Sequence, residues 1–459
     1  MKALILNSGT GSRMGDLTRT RPKCMTDLGC GETILSRQLQ MLTDAGIKEF
    51  VITTGAFDAV IREAVAELKL DATFRFVLNP IASETNYIYS MALAAQDLKG
   101  DDILLLHGDL VFEWRTLERM LDCARDDTGG MAVSFIRPLP EKDFKAVWTQ
   151  RDQERRIEKI GIEFFDHAVA AQPMYVLREK DMDIWMEAIV HFTAAGDVRC
   201  YAENALNTVT DQMTLRPVDM QDLLCQEVDT PEDLEEVRTR LARVRERKVY
   251  MCFSTDVLHA AHLRLIDRAR HLGQVIIGVL SDEAVASYKR FPLLSCSERM
   301  EMFRRVAGVS RVIEQKTLSY RENLLQIRPD FVVHGDNWKH DFQRPIRDEA
   351  ETLLKEWGGT IHEYPYATDA RFSALEGRAR SELALPDSRR SRLSRLIAMK
   401  GLVTAMEAHS GITGLIVEKT VVHGADGGAH QFDAMWISSL CDSTAKGKPD
   451  IELVDMSKI

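Results

Sequence analysis

The stretch LILNSGTGSRM, residues 4–14, decides the fold, and TRPK, residues 20–23, follows it closely. An apolar run typical of a β-strand leads into a glycine-rich turn, where backbone N–H groups can approach phosphate oxygens. Arg13 and Lys23 are near enough in sequence to fold back over this turn and to stabilise a triphosphate and its leaving pyrophosphate. The pattern predicts a nucleotide-binding turn, and the alternative is a strand-to-helix turn with incidental charges.

The composition restricts the class of protein. At a usual size of roughly 100–200 residues per domain, the 459 residues predict several domains. A net charge of −11 argues against a general binder of nucleic acid or anionic membranes. The eight cysteines show no metal-ligand spacing, and neither a signal sequence nor an apolar run of membrane-spanning length is evident, so we expect a cytoplasmic protein with reduced thiols.

Beyond the turn, segments with helical and strand-like spacing of apolar residues alternate. The predicted helices cover residues 34–46, 58–68 and 89–98, and the predicted strands cover residues 50–54, 74–78 and 103–106. Such alternation predicts parallel βαβ units with helices on both faces of the sheet. We therefore predict an α/β, Rossmann-like domain that binds its ligands at the carboxyl ends of the strands, where the glycine-rich turn lies.

A candidate metal ligand follows the last of these strands, where residues 103–106 lead into His107, Gly108 and Asp109. A carboxylate at a strand end beside a triphosphate site suits Mg²⁺, which proteins usually hold with one or two carboxylates plus phosphate oxygens. The alternative is that Asp109 only forms a turn or caps a helix. The neighbouring phosphate-binding turn favours the interpretation of Asp109 as a metal ligand.

These motifs resemble those of a known family. LNSGTGSRM together with RPKCM is similar to the signature of the sugar-1-phosphate nucleotidyltransferase superfamily, which includes bacterial CTP:phosphocholine cytidylyltransferases. CQEVDTPEDL, residues 225–234, resembles the element that closes that superfamily's catalytic domain. The resemblance implies that Asp229 is the second metal ligand and that Glu227 lies nearby. In the alternative, Asp229 or Thr230 caps a helix with Pro231 in its first turn, and both roles can hold together.

The same resemblance extends to Asn79-Pro80 and to ETNYIYS, residues 84–90, which it places near nucleotide and acceptor. The plain alternative is a polar loop before a helix. The predicted nucleotide-binding residues are Leu6, Asn7, Ser8, Gly9, Thr10, Gly11, Asn79 and Asn86. Lys142 and Lys145 are predicted to bind an acceptor phosphonate or phosphate and Glu203 to face an acceptor ammonium, although charged loops are usually just solvated.

A second α/β pattern begins with the apolar run 249–253 and continues into STDVLHAAH, residues 254–262. It resembles the His-x-Gly-His cytidylyltransferase fold, in which His259 and His262 would act as catalytic residues by hydrogen-bonding the α-phosphate as charge develops. Ala261 replaces the usual glycine, and the later phosphate motif is degraded at residues 368–373. A retained fold that binds nucleotide without turnover is therefore the alternative.

The last segment contains AMEAHSG, residues 405–411, and FDAMWISSL, residues 432–440. These resemble the opening of phosphoenolpyruvate phosphomutase, a TIM-type barrel of roughly 250 residues. The positions that match that family's substrate cradle are Trp436, Ser438, Ser439, Leu440 and Asp450. Because a barrel cannot close from so short a segment, we expect no mutase turnover from this chain alone.

The sequence therefore predicts a nucleotidyltransferase domain over residues 1–240, a smaller cytidylyltransferase-like domain over 247–366, a linker over 367–392 and an incomplete TIM-barrel start over 393–459. The order of units resembles fusions of nucleotidyltransferases to phosphoenolpyruvate phosphomutase in phosphonate biosynthesis. This implies a Mg²⁺-dependent enzyme that activates a phosphonate such as 2-aminoethylphosphonate with CTP. The alternatives are the amino-terminal part of a mutase fusion and, for the second domain, a non-catalytic nucleotide-binding module. The sequence leaves open the nucleobase, the acceptor and the oligomeric state, and a homo-oligomer is one of the possible states.

Overall fold

The computed structural model describes residues 1–9, 11–135, 138–151, 154–286, 292–339, 343–365, 393–394, 396–397, 400–423, 429–445 and 447. Thr10, Asp450, the degraded motif at 368–373 and the predicted linker 367–392 lie outside these residues. The chain divides into two compact units, Met1–Glu246 and Arg247–Ile459, which are described separately. In the described part of the chain, no helix combines the length and the apolar character needed to cross a bilayer.

The first unit alternates strands and helices as its apolar spacing predicts. Its strands are β1 Lys2–Asn7, β2 Glu49–Thr54, β3 Thr73–Leu78, β4 Ile103–His107, β5 Leu110–Phe112, β6 Gly129–Ser134, β7 Lys145–Arg151, β8 Glu154–Gly161, β9 Ala168–Leu177, β10 Leu215–Asp219 and β11 Cys225–Glu227. Its α-helices are α1 Ile34–Asp44, α2 Asp58–Glu67, α3 Tyr87–Leu98, α4 Trp114–Arg125, α5 Glu179–Ala194, α6 Ala202–Leu206 and α7 Pro231–Glu246. Short 3-10 helices cover Ser12–Thr18, Lys23–Met25 and Thr210–Gln212.

The main sheet has the strand order β10-β6-β9-β4-β1-β2-β3, and β7 joins it beside β9 and pairs with β8. Strands β1, β2, β3 and β4 are parallel, as predicted. The other half of the sheet is mixed, because β9 runs antiparallel to both β4 and β6. Strand β9 follows the β7–β8 hairpin, and a hairpin reverses the chain without the crossover helix that a parallel strand needs.

The main core cluster of this unit lies between the sheet and its helices and includes residues of both halves of the sheet. Residues 3–7 of β1 are buried, as expected for a strand with both faces covered. Leu4 and Leu105 pack in one apolar cluster with Met91 of α3 and Trp185 of α5. Each such side chain contributes roughly 1.5–3 kcal/mol when it is fully buried. This packing fixes the strand ends that carry the polar residues.

The second unit begins with a smaller parallel sheet in the order β14-β13-β12-β15-β16. Its strands are β12 Lys248–Phe253, β13 Gln274–Leu280, β14 Val309–Gln315, β15 Phe331–Gly335 and β16 Thr360–Tyr364. Its helices are α8 Ala260–Arg270, α9 Asp282–Ala286, α10 Cys296–Arg304, α11 Arg321–Ile327 and α12 Arg344–Lys355, with a 3-10 helix at Asp336–Lys339. The predicted α/β class, with a Rossmann-like first domain and a smaller second α/β domain, is confirmed by this architecture.

Toward the end of the chain, strand Ala405–Ala408 pairs in parallel with strand Ala434–Ile437, and helix Gly411–Lys419 lies between them in sequence. Strands Val422–His423 and Ala429–His430 form a short antiparallel pair, and helix Ser439–Ala445 follows. Trp436 is 67% exposed. The incomplete TIM-barrel start over residues 393–459 stays a prediction.

Candidate active site

The glycine-rich turn after β1 is shaped by its contact with the segment that carries Lys23. Gly11 has a φ of 67°, and a Cβ at this position would lie 3.0 Å from the Lys23 Cβ. The Thr18 hydroxyl donates a hydrogen bond to the Gly11 carbonyl at 2.8 Å. A residue with a side chain would meet both backbone strain and a close contact here, so glycine is required.

Lys23 links two carboxylates that are distant in sequence. Its Nζ lies 2.6 Å from Oδ2 of Asp109 and also contacts Oδ1 of Asp229. Arg13 pairs with Oδ2 of Asp229 at 2.7 Å. The Lys23 side chain is only 11% exposed, whereas that of Arg13 is 69% exposed. The structure thus brings together the four predicted residues of the phosphate and metal site.

A short antiparallel ribbon places the two carboxylates side by side. Strand β11 pairs with β5, so that Glu227 lies opposite Leu110, and the Val228 N–H donates to the Asp109 carbonyl at 3.0 Å. Gly108 lets β4 turn into this ribbon, because a Cβ there would lie 1.7 Å from Oδ1 of Asn7. The predicted nucleotide-binding residue Asn7 therefore packs directly against the loop that carries Asp109.

The structure shows a helix cap in the segment around Asp229, and the metal role of Asp229 stays a prediction. The Thr230 hydroxyl accepts from the Asp233 N–H at 3.2 Å, and the Asp233 carboxylate accepts from the N–H groups of Asp229 and Thr230. Thr230 and Asp233 thus cap α7, with Pro231 as its first residue. The Asp229 carboxylate stays available for Lys23 and Arg13.

His107 is a site residue that the sequence interpretation missed. Its Nδ1 lies 3.0 Å from Oε1 of Glu227. Successive side chains of a strand alternate between its faces, so the pairs His107/Asp109 and Glu227/Asp229 have the spacing that places two side chains on one side. That repeated spacing is the signal that could have identified His107.

Burial and charge shift the protonation equilibria of this cluster. Burial lowers the pKa of His107, but Glu227 and Asp109 outweigh it and raise the value to about 9. Burial alone would raise the pKa of Asp109, yet Lys23 and His107 hold it below its usual value. For Glu227, burial and the Asp109 charge raise the pKa. The site is therefore a compact set of mutually compensating charges.

Glu203 lies behind this cluster and does not face an open acceptor pocket. It is 2% exposed and accepts hydrogen bonds from the phenols of Tyr87 and, at 2.9 Å, Tyr175. The Tyr87 ring contacts the His107 ring with centroids 4.9 Å apart. The predicted direct contact of Glu203 with an acceptor ammonium is therefore corrected to a hydrogen-bonding role beneath the site.

The predicted acceptor lysines also differ from expectation. Lys145 is buried and donates to the carbonyls of Glu141 at 3.0 Å and Ile162 at 2.6 Å, and burial lowers its pKa. These contacts fix the start of β7 and leave the ammonium without access to an acceptor. Lys142 is exposed.

Two of the three predicted asparagines, Asn79 and Asn86, hold the loop after β3. The Asn79 amide donates to the hydroxyls of Thr85 at 2.9 Å and Ser90 at 3.0 Å, and the Ser8 and Ser90 hydroxyls lie 2.7 Å apart. Asn86 caps α3 by accepting from the Tyr87 N–H at 2.8 Å. These contacts shape the neighbourhood of the turn, where Leu6 is also buried and Gly9 is exposed. A groove of about 280 Å³ lies beside them, lined by Gly55, Ala56, Leu78, Asn79, Pro80, Ala82 and Ser83.

The residues present suit a hard divalent cation. Asp109 and Asp229 offer carboxylate oxygens, the donor type that Mg²⁺ prefers. Oδ1 of Asp109 is buried and has no hydrogen-bond partner within the part of the chain that the structure describes. Lys23 supplies the compensating charge between the carboxylates.

In the second unit, His259 and His262 lie together at the start of α8. Their ring centroids are 3.8 Å apart, and His259 Nδ1 accepts from the Ala261 N–H at 3.3 Å. His262 is buried against the Phe253 ring at the end of β12. The predicted pair is therefore at the carboxyl end of a parallel strand, the usual ligand side of such sheets.

In comparison with known proteins, a part of each unit is similar to a nucleotidyltransferase-type domain family. Residues 3–157 match the family described as MobA-like NTP transferase domain, and residues 252–379 match the family described as Cytidylyltransferase-like. These matches confirm the predicted enzyme class at the level of the domain families.

The similarity to individual proteins covers only part of each chain. The CMP-5'-(3-aminopropyl)phosphonate synthase of Streptomyces rubellomurinus is 30% identical over 274 residues, which cover 58% of this chain and 42% of that protein. The ethanolamine-phosphate cytidylyltransferase of Arabidopsis thaliana is 33% identical over 103 residues, 20% of this chain and 24% of that protein. The solved inositol-1-phosphate CTP transferase of T. maritima aligns with a TM-score of 0.43 at 22% identity, covering 52% of this chain and 95% of that one. The chain thus spans less than half the length of these two curated relatives.

Proposed function

We propose that the unit Met1–Glu246 is a Mg²⁺-dependent cytidylyltransferase, which transfers CMP from CTP to a phosphonate such as 2-aminoethylphosphonate and releases pyrophosphate. The observation that carries this proposal is the Lys23 ammonium held between Asp109 and Asp229, with Arg13 on the second carboxylate. The similarity to a synthase named for a CMP-aminopropylphosphonate supports CTP and an aminophosphonate as the substrate pair.

The reaction needs positioning and charge neutralisation. A phosphonate oxygen forms a bond to the α-phosphorus while the bond to pyrophosphate breaks in line with it. The turn amides and Arg13 bind the outer phosphates, and Lys23 neutralises charge on the α-phosphate and the acceptor. Asp109 and Asp229 would hold Mg²⁺, which when bound supplies further neutralisation of the phosphates. Without nucleotide, Lys23 compensates the two carboxylates, so the arriving phosphates must take over part of its contacts.

Pyrophosphate release by the full chain tests the proposal. CTP, UTP, ATP and GTP are each combined with 2-aminoethylphosphonate, phosphocholine and several sugar phosphates, with and without Mg²⁺. We expect the highest rate with CTP, 2-aminoethylphosphonate and Mg²⁺. No release with CTP and 2-aminoethylphosphonate, or a faster reaction with a sugar phosphate, would contradict the assignment.

We propose further that the second unit binds a cytidine nucleotide at His259 and His262. The adjacent rings at the start of α8 support this, together with the cytidylyltransferase-like match. Calorimetric titration of CTP into the full chain should show a second binding event that His262→Ala removes. One binding event with the same affinity in both proteins would contradict it. Binding without turnover would favour the non-catalytic module over a second catalytic centre.

The resemblance of residues 393–459 to phosphoenolpyruvate phosphomutase stays a proposal about context. The parallel strands Ala405–Ala408 and Ala434–Ile437 with the helix between them are compatible with one βαβ step of such a barrel. A cytoplasmic location and a homo-oligomer likewise stay predictions. We expect no mutase activity from this chain. Phosphorus NMR tests this by following whether the chain converts phosphoenolpyruvate to phosphonopyruvate.

A further inference from the structure

The two carboxylate oxygens of Asp109 have different surroundings. Oδ2 accepts from Lys23, whereas Oδ1 is buried and, among the described residues, has no hydrogen-bond partner. Nε2 of His107 is also buried and unpartnered within that part of the chain. Buried polar atoms without partners are uncommon in folded proteins, and each needs an explanation. Two of them, two residues apart at one strand end, favour a ligand at this place.

The neighbouring side chains have the spacing of a metal site. His107, Asp109 and Glu227 each offer a ligand atom, and these three atoms lie within 4.8 Å of one another. Metal–ligand bonds of about 2.1 Å separate the ligand atoms of one ion by at most about 4.2 Å, so small side-chain rotations would bring the three together. Lys23 does not block this, because it contacts the other oxygen of Asp109.

We propose that His107, Asp109 and Glu227 form a binding site for a first-row transition-metal ion such as Mn²⁺, Co²⁺ or Zn²⁺. One imidazole nitrogen and two carboxylates are a mixed donor set, which suits these ions better than Mg²⁺, whose preferred ligands are all oxygens. The site shares Asp109 with the carboxylate pair assigned to Mg²⁺ and adds ligands on its other side. It rests on the geometry of the first unit and does not depend on the proposed transferase activity.

The surroundings support a bound cation. Tyr87 lies edge-on to the His107 ring at 4.9 Å and, through its hydroxyl, reaches the buried Glu203. The contact with Tyr87 orients the imidazole, and the Glu203 carboxylate adds negative charge behind it. The proton held between His107 and Glu227 leaves when the metal binds, so binding releases a proton to solvent.

Metal titration of the chelator-treated full chain, without nucleotide, tests the site. Co²⁺ is added while its visible d–d absorption is followed, and calorimetry measures Zn²⁺, Mn²⁺ and Mg²⁺ under the same conditions. We expect one site that binds Co²⁺ and Zn²⁺ at least about tenfold more tightly than Mg²⁺, and His107→Gln should weaken Co²⁺ binding by about tenfold or more.

Two control variants and a second ligand variant make the result specific. His191→Gln, which changes an exposed histidine of α5, should leave Co²⁺ affinity unchanged. Asp229→Asn should change it by less than about threefold, because Asp229 belongs to the Mg²⁺ pair and not to the mixed set. Glu227→Gln should weaken binding as His107→Gln does, and it decides the question if circular dichroism shows that His107→Gln does not fold.

Two outcomes would overturn the proposal. The first is Co²⁺ binding that is equally tight in the wild type and in the folded His107 or Glu227 variant. The second is a cobalt spectrum dominated by thiolate charge-transfer bands, which would assign the metal to cysteines. Loss of pyrophosphate release has no bearing on either result, so this proposal and the proposed function can fail separately.

Discussion

Replacing Lys23 by methionine tests the structural role of the charge cluster. The change removes an ammonium that is 11% exposed and bonded to carboxylates that are 22% and 19% exposed. Breaking a buried ion pair from one side costs about 3–5 kcal/mol, and because Asp229 keeps Arg13 and both carboxylates reach some solvent, we expect about 2–3 kcal/mol. For a unit of this size, that corresponds to a fall in melting temperature of about 5–10 °C.

Lys48→Met is the matched control, because Lys48 pairs with Asp71 at 2.9 Å on the surface, where the side chains are 51% and 99% exposed. An exposed pair contributes about 0–1 kcal/mol, so little change is expected. Calorimetric scans of the full chain measure both variants, and pyrophosphate release should fall about 100- to 1,000-fold in Lys23→Met alone. Equal melting temperatures for the two variants, or an unchanged rate in Lys23→Met, would refute the reasoning.

Three further predictions address neighbouring contacts. Gly108→Ala places a Cβ 1.7 Å from the Asn7 carboxamide oxygen. We expect the free energy of unfolding to fall by about 1–3 kcal/mol in melting scans and most pyrophosphate release to be lost. A variant identical to wild type in both measurements would contradict this prediction. Burial lowers the pKa of His107, but neighbouring carboxylates outweigh it and raise the pKa from 6.5 to about 9. Protonated His107 therefore stabilises the fold fully below about pH 6.5, and this stabilisation is lost as the pH rises through about 9. Melting scans in chelator should therefore show a larger fall between pH 7 and 10 for wild type than for His107→Gln, and parallel curves would count against it. Tyr175→Phe removes one of the two phenols on Glu203 and should cost about 1–3 kcal/mol in melting scans while the rate stays within a few-fold of wild type; an unchanged melting temperature would refute this.

The parts of the site that the sequence predicts are those encoded in short motifs. The turn with Arg13 and Lys23, Asp109 after its strand and Asp229 before a helix each have a local pattern. Ligands gather at the carboxyl ends of parallel strands, so these motifs could be expected to meet. What the motifs do not contain is the ribbon of β5 and β11, which sets the register between the two carboxylates.

The parts that the sequence does not predict depend on tertiary burial. Lys145 and Glu203 are charged residues in polar stretches, and such residues are usually exposed. Here Lys145 donates to backbone carbonyls and Glu203 accepts from two phenols, and apart from Glu141 these partners lie 17 to 116 residues away in sequence. The antiparallel direction of β9 has a different origin, because it follows from the β7–β8 hairpin before it and not from burial or from the apolar pattern of β9.

The central claim is tested most directly by the rate of pyrophosphate release from CTP and 2-aminoethylphosphonate in Asp109→Asn and Asp71→Asn, both measured in the full chain with Mg²⁺. The two variants remove the same charge, but Asp109 contacts Lys23 in the site and Asp71 lies on the surface. We predict a loss of about 100-fold or more for Asp109→Asn and a wild-type rate for Asp71→Asn. Equal, undiminished rates in both variants would contradict the assignment of the active centre to the Lys23, Asp109 and Asp229 cluster.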